Sequence, residues 1–287
     1  MGVTINTNVA ALNAQRRLGA TTTGLQKSFE RLSSGLRIVR ASDDAAGLAI
    51  ADSLRADTRI AGVAIRNAND GVSLISISDG ALSEIGNVLT RMGELSEQSA
   101  NGVLSTTQRS ALQSEFTALG SEVQRIAETT SFNGLQLLSG GAAVALQVGF
   151  DSSANSRISF SGVQGTLASL GLAAAGSSSL IFSLNAAGAA TVGQAAARAA
   201  LDAVKGAIGS LTTSRGTLGA AESRLTVALN NLQVSRENFA SAESQIRDVD
   251  VAQEAANLTR LNILQQAGAA VLAQANQQPA LALSLLG

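Results

Sequence analysis

Helical periodicity runs through most of this chain and limits the folds that are open to it. From Ile60 to Ser99, apolar and small residues follow one another at an unbroken spacing of four and three positions. That spacing places them on one face of a helix, which at about 1.5 Å per residue is roughly 60 Å long. A second heptad series runs from Leu201 to Phe239. The pattern predicts long helices that pack side by side.

The two ends of the chain carry the same helical pattern, and the strand pattern lies in the middle. Heptad-spaced residues occupy 5–12, 25–39 and 251–275. Between 143 and 161 apolar residues alternate instead, which predicts a β-hairpin, and residues 161–191 predict a loop or short strands. We therefore predict a mainly α fold: a long antiparallel helical rod or coiled coil in which the N- and C-terminal helices are paired, with a small β-hairpin region mid-chain.

Short motifs indicate where the helices begin and end. A capping box begins at Ser105, and Asn101–Gly102 interrupts the helix before it. Asp43 and Asp44 could be read as paired catalytic carboxylates. Their place behind a serine, where a helix begins, favours the simpler interpretation that they stabilise the positive end of a helix dipole. Asp248 and Asp250, before the last helix, have the same interpretation.

The residue types that are missing exclude most catalytic chemistry. The 287 residues include no His, Cys, Trp or Tyr. Without Cys there is no disulfide, thiolate metal site or thiol nucleophile, and without His the commonest general base and metal ligand are absent. The 20 Lys and Arg nearly balance the 21 Asp and Glu, so the net charge of -1 gives no electrostatic reason to expect nucleic acid or an anionic membrane. We expect no enzyme, no cofactor, no metal, no nucleic-acid partner and no membrane insertion.

The apolar residues are numerous but small. They make up 45% of the chain, whereas aromatic residues make up 2% and charged residues 14%. The core of an ordinary helical bundle is the plainer interpretation of the helical stripes. Residues 267–273, however, leave the last helix without a polar side, and a helix that is apolar all round must be buried on all sides. We therefore expect neighbouring copies of the chain to cover the terminal helices.

Several runs of residues at the two ends of the chain form a specific combination. They include ERLSSGLRI at 30–38, DDAAGLAIA at 43–51, RNANDG at 66–71, SQIRD at 244–248, ILQQAG at 263–268 and VLAQAN at 271–276. Through these runs the chain resembles the bacterial flagellins, the subunits of the flagellar filament. The resemblance covers roughly residues 1–140 and 200–287.

The resemblance implies a division of the chain into an inner and an outer domain. Residues 1–42 and 248–287 would form an inner terminal coiled coil. Residues 43–247 would form an outer helical rod domain with the β-hairpin and a short variable loop region at 161–191, and so without large outer domains. The filament-core packing residues that the resemblance implies, most of them on the heptad stripes, are Ile5, Val9, Leu12, Leu25, Phe29, Leu32, Leu258, Leu261, Leu264, Val271, Leu285 and Leu286.

The resemblance also implies partners and a location. The expected function is that of a structural subunit for motility, in which many copies assemble into an extracellular helical filament. Flagellins are exported unfolded by the flagellar type III apparatus without a cleaved signal peptide, and the expected helpers are an export chaperone and cap or junction proteins. The alternatives are a flagellar hook-junction or cap-type protein that shares the terminal coiled coil, and a secreted helical adhesin.

A second surface implied by the resemblance concerns the innate toll-like receptor that detects flagellin monomers. Arg91, Leu95 and Glu115 stand at the positions that match the recognised surface of the family. Thr90 replaces a glutamine that is common in strongly detected flagellins, and Gly93 occupies a site that often holds a larger residue. The simpler interpretation is that Arg91 and Glu115 serve contacts between subunits, and the two interpretations are compatible.

Overall fold

The computed structural model describes residues 7–139, 143–160, 163–185 and 190–284. Most of these residues are helical, and the short strands form antiparallel pairs. In chain order the elements are α1 Val9–Ser34, α2 Ala45–Ala100, α3 Thr106–Thr129, β1 Ser131–Phe132, β2 Leu135–Gln136, β3 Val144–Gln147, β4 Arg157–Phe160, α4 Ala190–Arg247 and α5 Val251–Ser284. The predicted mainly α fold with a small β-hairpin is confirmed.

The helix starts follow the capping motifs in the sequence. Asp44 Oδ1 accepts a hydrogen bond of 2.8 Å from Gly47 N in the first turn of α2. Ser105 and Gln108 form the reciprocal capping box at the start of α3, where each side chain bonds to the backbone N–H of the other residue. Asp250 Oδ1 accepts two backbone N–H groups at the start of α5, at 2.9 and 3.1 Å. These side chains satisfy donors that have no partner within the helix.

The chain divides into two compact units. The first contains residues 1–59 and 236–287, and the second contains residues 60–235. The inner domain expected at 1–42 and 248–287 lies entirely within the first unit. The N-terminal and C-terminal segments of the chain are therefore parts of the same compact unit.

In the first unit, α1 and α5 pack as an antiparallel pair. Near the start of α1, Asn8 Nδ2 donates a hydrogen bond of 2.7 Å to Ala275 O, which lies late in α5. Near the end of α1, Ser28 contacts Glu254, which lies in the first turn of α5. The predicted pairing of the N- and C-terminal helices is confirmed.

The segments that connect the helices of the first unit are joined to each other by backbone hydrogen bonds. Gly35 ends α1 with a φ of 72°, a left-handed conformation that glycine adopts readily. Leu36 and Asp248 then form an isolated antiparallel bridge, and Arg37 N donates a hydrogen bond of 2.6 Å to Arg247 O. The α1–α2 connection is therefore fixed against the α4–α5 connection.

The second unit contains a continuous hydrophobic core formed by α2, α3, α4, the hairpins and the segment at 163–185. Its largest fully buried side chains include Phe116, Ile75, Leu82, Ile85, Leu89, Met92, Leu138, Leu167 and Leu172. Within this unit α2 and α4 run antiparallel, because Gly71, Gly86 and Gly93 of α2 lie in turn against Leu225, Leu211 and Val204 of α4. Arg215 also forms a bidentate ion pair with Asp79, with N–O distances of 2.7 and 3.0 Å. This side-chain hydrogen bond, above all other causes, lowers the pKa of Asp79 from its ordinary value.

The predicted hairpin is present, and a smaller one precedes it. Strands β3 and β4 pair antiparallel with Leu146 opposite Ile158, in agreement with the alternation in the sequence. Strands β1 and β2 pair antiparallel and are joined by a two-residue turn at Asn133 and Gly134, which have φ angles of 48° and 79°. This second hairpin was not predicted from the sequence.

The segment after the second hairpin contributes more to the core than a surface loop would. Its backbone is largely irregular between 163 and 185. Leu180 nevertheless packs against Gly120 of α3 so closely that a Cβ on Gly120 would lie 2.5 Å from Leu180 Cδ1. Buried apolar residues of this segment are Val163, Leu167, Leu170, Leu172, Ala173 and Leu184. The prediction of a loop or short strands therefore understates the packing of this segment, in which Ala173 and Leu180 form an isolated antiparallel bridge.

Candidate assembly surface

The first unit has very few buried apolar side chains of its own. Among its described residues these are Ala14, Ile38, Ala51 and Ala275, whereas every member of the large hydrophobic core cluster lies in the second unit. Large apolar side chains of the first unit that are 46–61% exposed are Val9, Leu12, Phe29, Ile50, Val251, Ile263, Leu264 and Val271. We call these eight side chains the terminal apolar surface. These side chains are exposed in a structure in which α1 and α5 are already paired. The pairing of α1 with α5 therefore does not cover the terminal apolar surface.

The residues predicted to pack the filament core fall into three groups. Leu25, Leu32, Leu258 and Leu261 are half-buried. Val9, Leu12, Phe29, Leu264 and Val271 belong to the terminal apolar surface. Ile5, Leu285 and Leu286 lie outside the described residues. The first group contributes to the packing of the single chain, and the second is available to other chains.

A polar cluster lies between α1 and α5. Ser28 is 2% exposed and its Oγ donates a hydrogen bond to Glu254 Oε1, and Glu254 is 9% exposed. Asn257 Nδ2 lies 3.2 Å from each of these two oxygens, and Arg31 Nη1 lies 3.9 Å from the Glu254 carboxylate. A polar group buried between two helices favours the one register in which its partners meet. This cluster was not predicted from the sequence, although the polar residues interrupt an otherwise small and apolar face.

Charged groups are concentrated around the connecting segments of the first unit. Arg247 Nη1 lies 3.4 Å from Asp52 and 4.0 Å from Glu243, and Lys27 Nζ lies 3.5 Å from Asp43. A backbone hydrogen bond from Arg40 is the largest cause that lowers the pKa of Asp43. By contrast, residues 1–15 and 261–287 contain no Asp, Glu, Lys or Arg. Association through these uncharged ends depends on apolar and amide contacts and not on ion pairs.

The residues expected at a receptor surface do not all lie at the surface. Arg91 forms ion pairs of 2.9 Å with Glu94 and with Glu115. Both carboxylates raise the pKa of Arg91, and the largest cause is the side-chain hydrogen bond to Glu94. The Arg91 and Glu115 side chains are about half exposed. Leu95 is 1% exposed and belongs to the core of the second unit. A partner that docks on the folded chain can reach Arg91 and Glu115 but not Leu95.

The described residues contain neither a metal site nor a membrane span. No group of three or more Asp or Glu side chains among them is arranged to hold a metal ion. In the same part of the chain, no helix is both long enough and apolar enough to cross a membrane.

Two family descriptions match most of the chain. Residues 5–143 match the bacterial flagellin N-terminal helical region, and residues 201–286 match the bacterial flagellin C-terminal helical region. The two matched segments contain α1, α5, α2, α3 and most of α4. The terminal apolar surface therefore lies within segments that the family shares.

Individual proteins agree with the family match. A flagellin from Halalkalibacterium halodurans is 44% identical over 283 residues, which are 98% of this chain and 99% of that protein. Flagellin C from Vibrio cholerae is 52% identical over 152 residues, which are 53% of this chain but 40% of that protein. The solved structure of a putative flagellar hook-associated protein from Vibrio parahaemolyticus matches with a TM-score of 0.58 and 14% identity, covering 72% of this chain and 100% of that one. At that identity it supports the fold alone.

Proposed function

Because this chain belongs to the bacterial flagellin family, we infer that it is a structural subunit that self-assembles into the extracellular filament of a bacterial flagellum. The observation that carries this inference is the terminal apolar surface, which stays exposed after α1 and α5 have paired. Fully burying a large apolar side chain contributes about 1.5–3 kcal/mol, and these side chains, which are 46–61% exposed, would each contribute about half of that in an assembly. Burial of these eight side chains would therefore favour the association of neighbouring copies.

We propose that the inner domain consists of residues 1–42 and 248–287 and that neighbouring copies bury it. The polar cluster of Ser28 and Glu254 supports one register of α1 against α5, so that each subunit presents the same surface. The outer domain at 43–247 then carries most of the self-contained core. This arrangement gives each subunit one part that folds alone and one part that is completed by its neighbours.

The experiment is a comparison of exposed valines. Val271→Asn and Val9→Asn are expected to raise the protein concentration needed for polymerisation, because each places an amide where a neighbour would bury an isopropyl group. Val103→Asn is the matched control, since Val103 is 83% exposed and lies in the α2–α3 turn. Sedimentation and electron microscopy of polymerised protein measure the outcome. If Val103→Asn impairs filaments as much as the terminal variants do, the terminal apolar surface is not the assembly surface.

The alternative flagellar functions are not favoured. The flagellin relative from Halalkalibacterium halodurans is 44% identical along nearly its whole length, whereas the hook-associated structure is 14% identical. A hook-junction or cap-type protein would not form long filaments alone, which the same microscopy would reveal. Export without a cleaved signal peptide, an export chaperone and cap or junction partners also belong to the proposal, and they are supported by family membership. Mass spectrometry of secreted protein tests the first of these, since an intact N-terminus is expected.

We also propose that the monomer is recognised by the innate toll-like receptor through Arg91 and Glu115. Their exposure and their mutual ion pair of 2.9 Å support a rigid charged surface on α2 and α3. Leu95 would then support this surface from the core. Thr90, whose Oγ1 donates to Gly86 O at 2.8 Å, points its hydroxyl back to its own helix.

A receptor reporter assay with monomeric protein tests this second proposal. Arg91→Ala and Glu115→Ala are expected to reduce signalling at least tenfold, which corresponds to about 1.4 kcal/mol of binding free energy. Arg125→Ala is the control because Arg125 is also exposed and paired with a carboxylate, Glu122, on α3. Equal signalling by all three variants would overturn the assignment.

A further inference from the structure

The turn between α2 and α3 contains a buried arginine that bonds to the backbone of an exposed Asn–Gly sequence. Arg109 is 0% exposed. Its Nε donates a hydrogen bond of 3.0 Å to Ser99 O, and its Nη2 donates one of 2.9 Å to Asn101 O. The second acceptor is the carbonyl of the Asn101–Gly102 peptide group. A fixed positive charge is therefore bonded to the peptide group that Gly102 N belongs to.

The side chain of Asn101 is also engaged in a particular way. Its Oδ1 accepts a hydrogen bond of 3.2 Å from Val103 N. Asn101 and Gly102 are both exposed. Within the described part of the chain, Gly102 N donates no hydrogen bond. The side-chain carbonyl is thus polarised, while the neighbouring backbone N–H is unused and open to water.

These contacts act on both partners of one chemical step. A hydrogen bond from a guanidinium to the carbonyl oxygen stabilises negative charge on the peptide group, and so makes the Gly102 N–H more acidic. The hydrogen bond from Val103 stabilises the charge that develops on Asn101 Oδ1 when its carbon is attacked. Glycine places no side chain in the way. We propose that Asn101 is a self-modification site, at which Gly102 N attacks Asn101 Cγ and converts the asparagine to aspartate and isoaspartate.

The atoms balance without any oxidant or cofactor. The bond between Gly102 N and Asn101 Cγ forms, and the bond between Asn101 Cγ and Nδ2 breaks. The proton from Gly102 N leaves with the amide group as ammonia, and a five-membered succinimide remains. Water then opens the ring at either carbonyl, which gives aspartate or isoaspartate. This site concerns the single chain and does not depend on filament assembly.

The product changes the charge and the backbone of the turn. The new carboxylate lies at the C-terminal end of α2, where the helix dipole disfavours negative charge, and close to Arg109. Isoaspartate adds a methylene group to the main chain and moves the carbonyl that Arg109 bonds to. The α2–α3 turn is therefore altered irreversibly as the protein ages.

A second Asn–Gly sequence in the same chain is the internal control. Asn133 and Gly134 occupy the β1–β2 turn and are exposed. In the described part of the chain, no arginine donates a hydrogen bond to Asn133 O, and no backbone N–H donates one to Asn133 Oδ1. Both sequences have the same two reacting residues, but only the one at Asn101 has the arginine.

The experiment incubates the folded protein at mildly alkaline pH and measures conversion at both sites by mass spectrometry. Trypsin separates them, since cleavage after Arg91, Arg109, Arg125 and Arg157 places Asn101 and Asn133 in different peptides. The ratio of the two rates is then compared with the same ratio in guanidinium chloride, where the fold is lost. We expect folding to raise the ratio in favour of Asn101 by about tenfold, the effect of one charge-assisted hydrogen bond. A ratio that folding leaves unchanged or lowers would overturn the proposal.

Two variants identify the groups involved. Gly102→Ala is expected to suppress conversion at Asn101 while Asn133 reacts as before; its Cβ would meet only the flexible end of Gln194, at 2.8 Å. Arg109→Lys is expected to bring the Asn101 rate down to that of Asn133. If Arg109→Lys fails to fold, as circular dichroism would show, the wild-type ratio and the Gly102→Ala result decide. Unchanged conversion at Asn101 in Gly102→Ala would exclude attack by Gly102 N.

Discussion

Glu254 accepts the hydrogen bonds that hold the polar cluster between α1 and α5 together, and its removal is expected to weaken assembly. Ser28 Oγ and Asn257 Nδ2 both donate to Glu254 Oε1. In Glu254→Ala the Ser28 hydroxyl, in a residue that is 2% exposed, loses its acceptor while it stays out of water. Arg31, whose side chain is 30% exposed at 3.9 Å, loses a weak ion pair.

The free energy lost in Glu254→Ala can be estimated from these contacts. A buried donor without an acceptor costs about 1–3 kcal/mol, and the solvent-screened ion pair adds less than about 1 kcal/mol. We expect assembly to require one intact α1–α5 pair in each subunit, so a loss of about 2–3 kcal/mol should raise the critical concentration for polymerisation roughly 30- to 150-fold. The second unit keeps its own core, and its helical content should not change.

The assay is sedimentation of polymerised protein over a range of concentrations, with circular dichroism of the monomer as a check on folding. The double variant Ser28→Ala/Glu254→Leu replaces both partners by apolar groups, and it is expected to recover at least half of the lost free energy, because no buried donor is left unpaired. A wild-type critical concentration in Glu254→Ala would refute the reasoning. So would a double variant that assembles no better than Glu254→Ala.

Two further predictions concern the second unit. The pKa of Asp79 is lowered by Arg215, so the pair stabilises the fold above the ordinary carboxyl pKa of 3.8, and that contribution is lost as pH falls through the lowered value. Asp79→Asn should therefore lower the free energy of unfolding at neutral pH by about 0.5 kcal/mol, since both side chains are about two-fifths exposed, and denaturant titrations should show the difference vanish at low pH. Gly120→Ala should lower the free energy of unfolding by about 1–3 kcal/mol because its Cβ would clash with Leu180. Gly216→Ala on α4, where a Cβ would meet nothing within 4 Å, should instead be neutral or stabilising by up to about 1 kcal/mol, and equal effects of the two substitutions would contradict the packing described for Leu180.

Local signals predicted several element boundaries, although Asp248 accepts a hydrogen bond of 2.7 Å from Ser244 Oγ at the end of α4 and does not cap α5 as predicted. Asp44 and Asp250 begin helices as the sequence indicated, because a carboxylate near the first turn satisfies backbone donors within a few residues. The alternation predicted the longer hairpin, since each strand must turn one set of side chains inward. These features depend on neighbours in the sequence, and the sequence therefore contains the information for them.

Leu95 shows how two inferences from one sequence can conflict. The 4-3 spacing from Ile60 to Ser99 includes Leu95 on the packed face of the helix, and the structure buries it there. The resemblance to flagellins placed the same residue on a receptor surface. Periodicity was the better guide to its exposure, because it depends on this chain's own helix.

Two features needed the three-dimensional structure. The residues at 163–185 carry no periodic pattern, so their burial depends on where the preceding elements bring them, for example Leu180 over Gly120. The pairing of Ser28 with Glu254 joins residues 226 positions apart. No local rule connects such positions until the ends of the chain are known to meet in register.

The helical stripes are similar at the ends and in the middle of the chain, yet the two units use them differently. In the second unit, large side chains such as Phe116, Leu89 and Met92 lie on the stripes and are completely buried. In the first unit, the most deeply buried seam positions include Ala14 and Ser28, which remove little apolar surface from water. At about 25 cal/mol per Å², such small side chains cannot offset the entropy lost when two long helices become ordered. We therefore expect the size of the seam residues, more than their spacing, to determine which unit is stable alone and which depends on other copies of the chain.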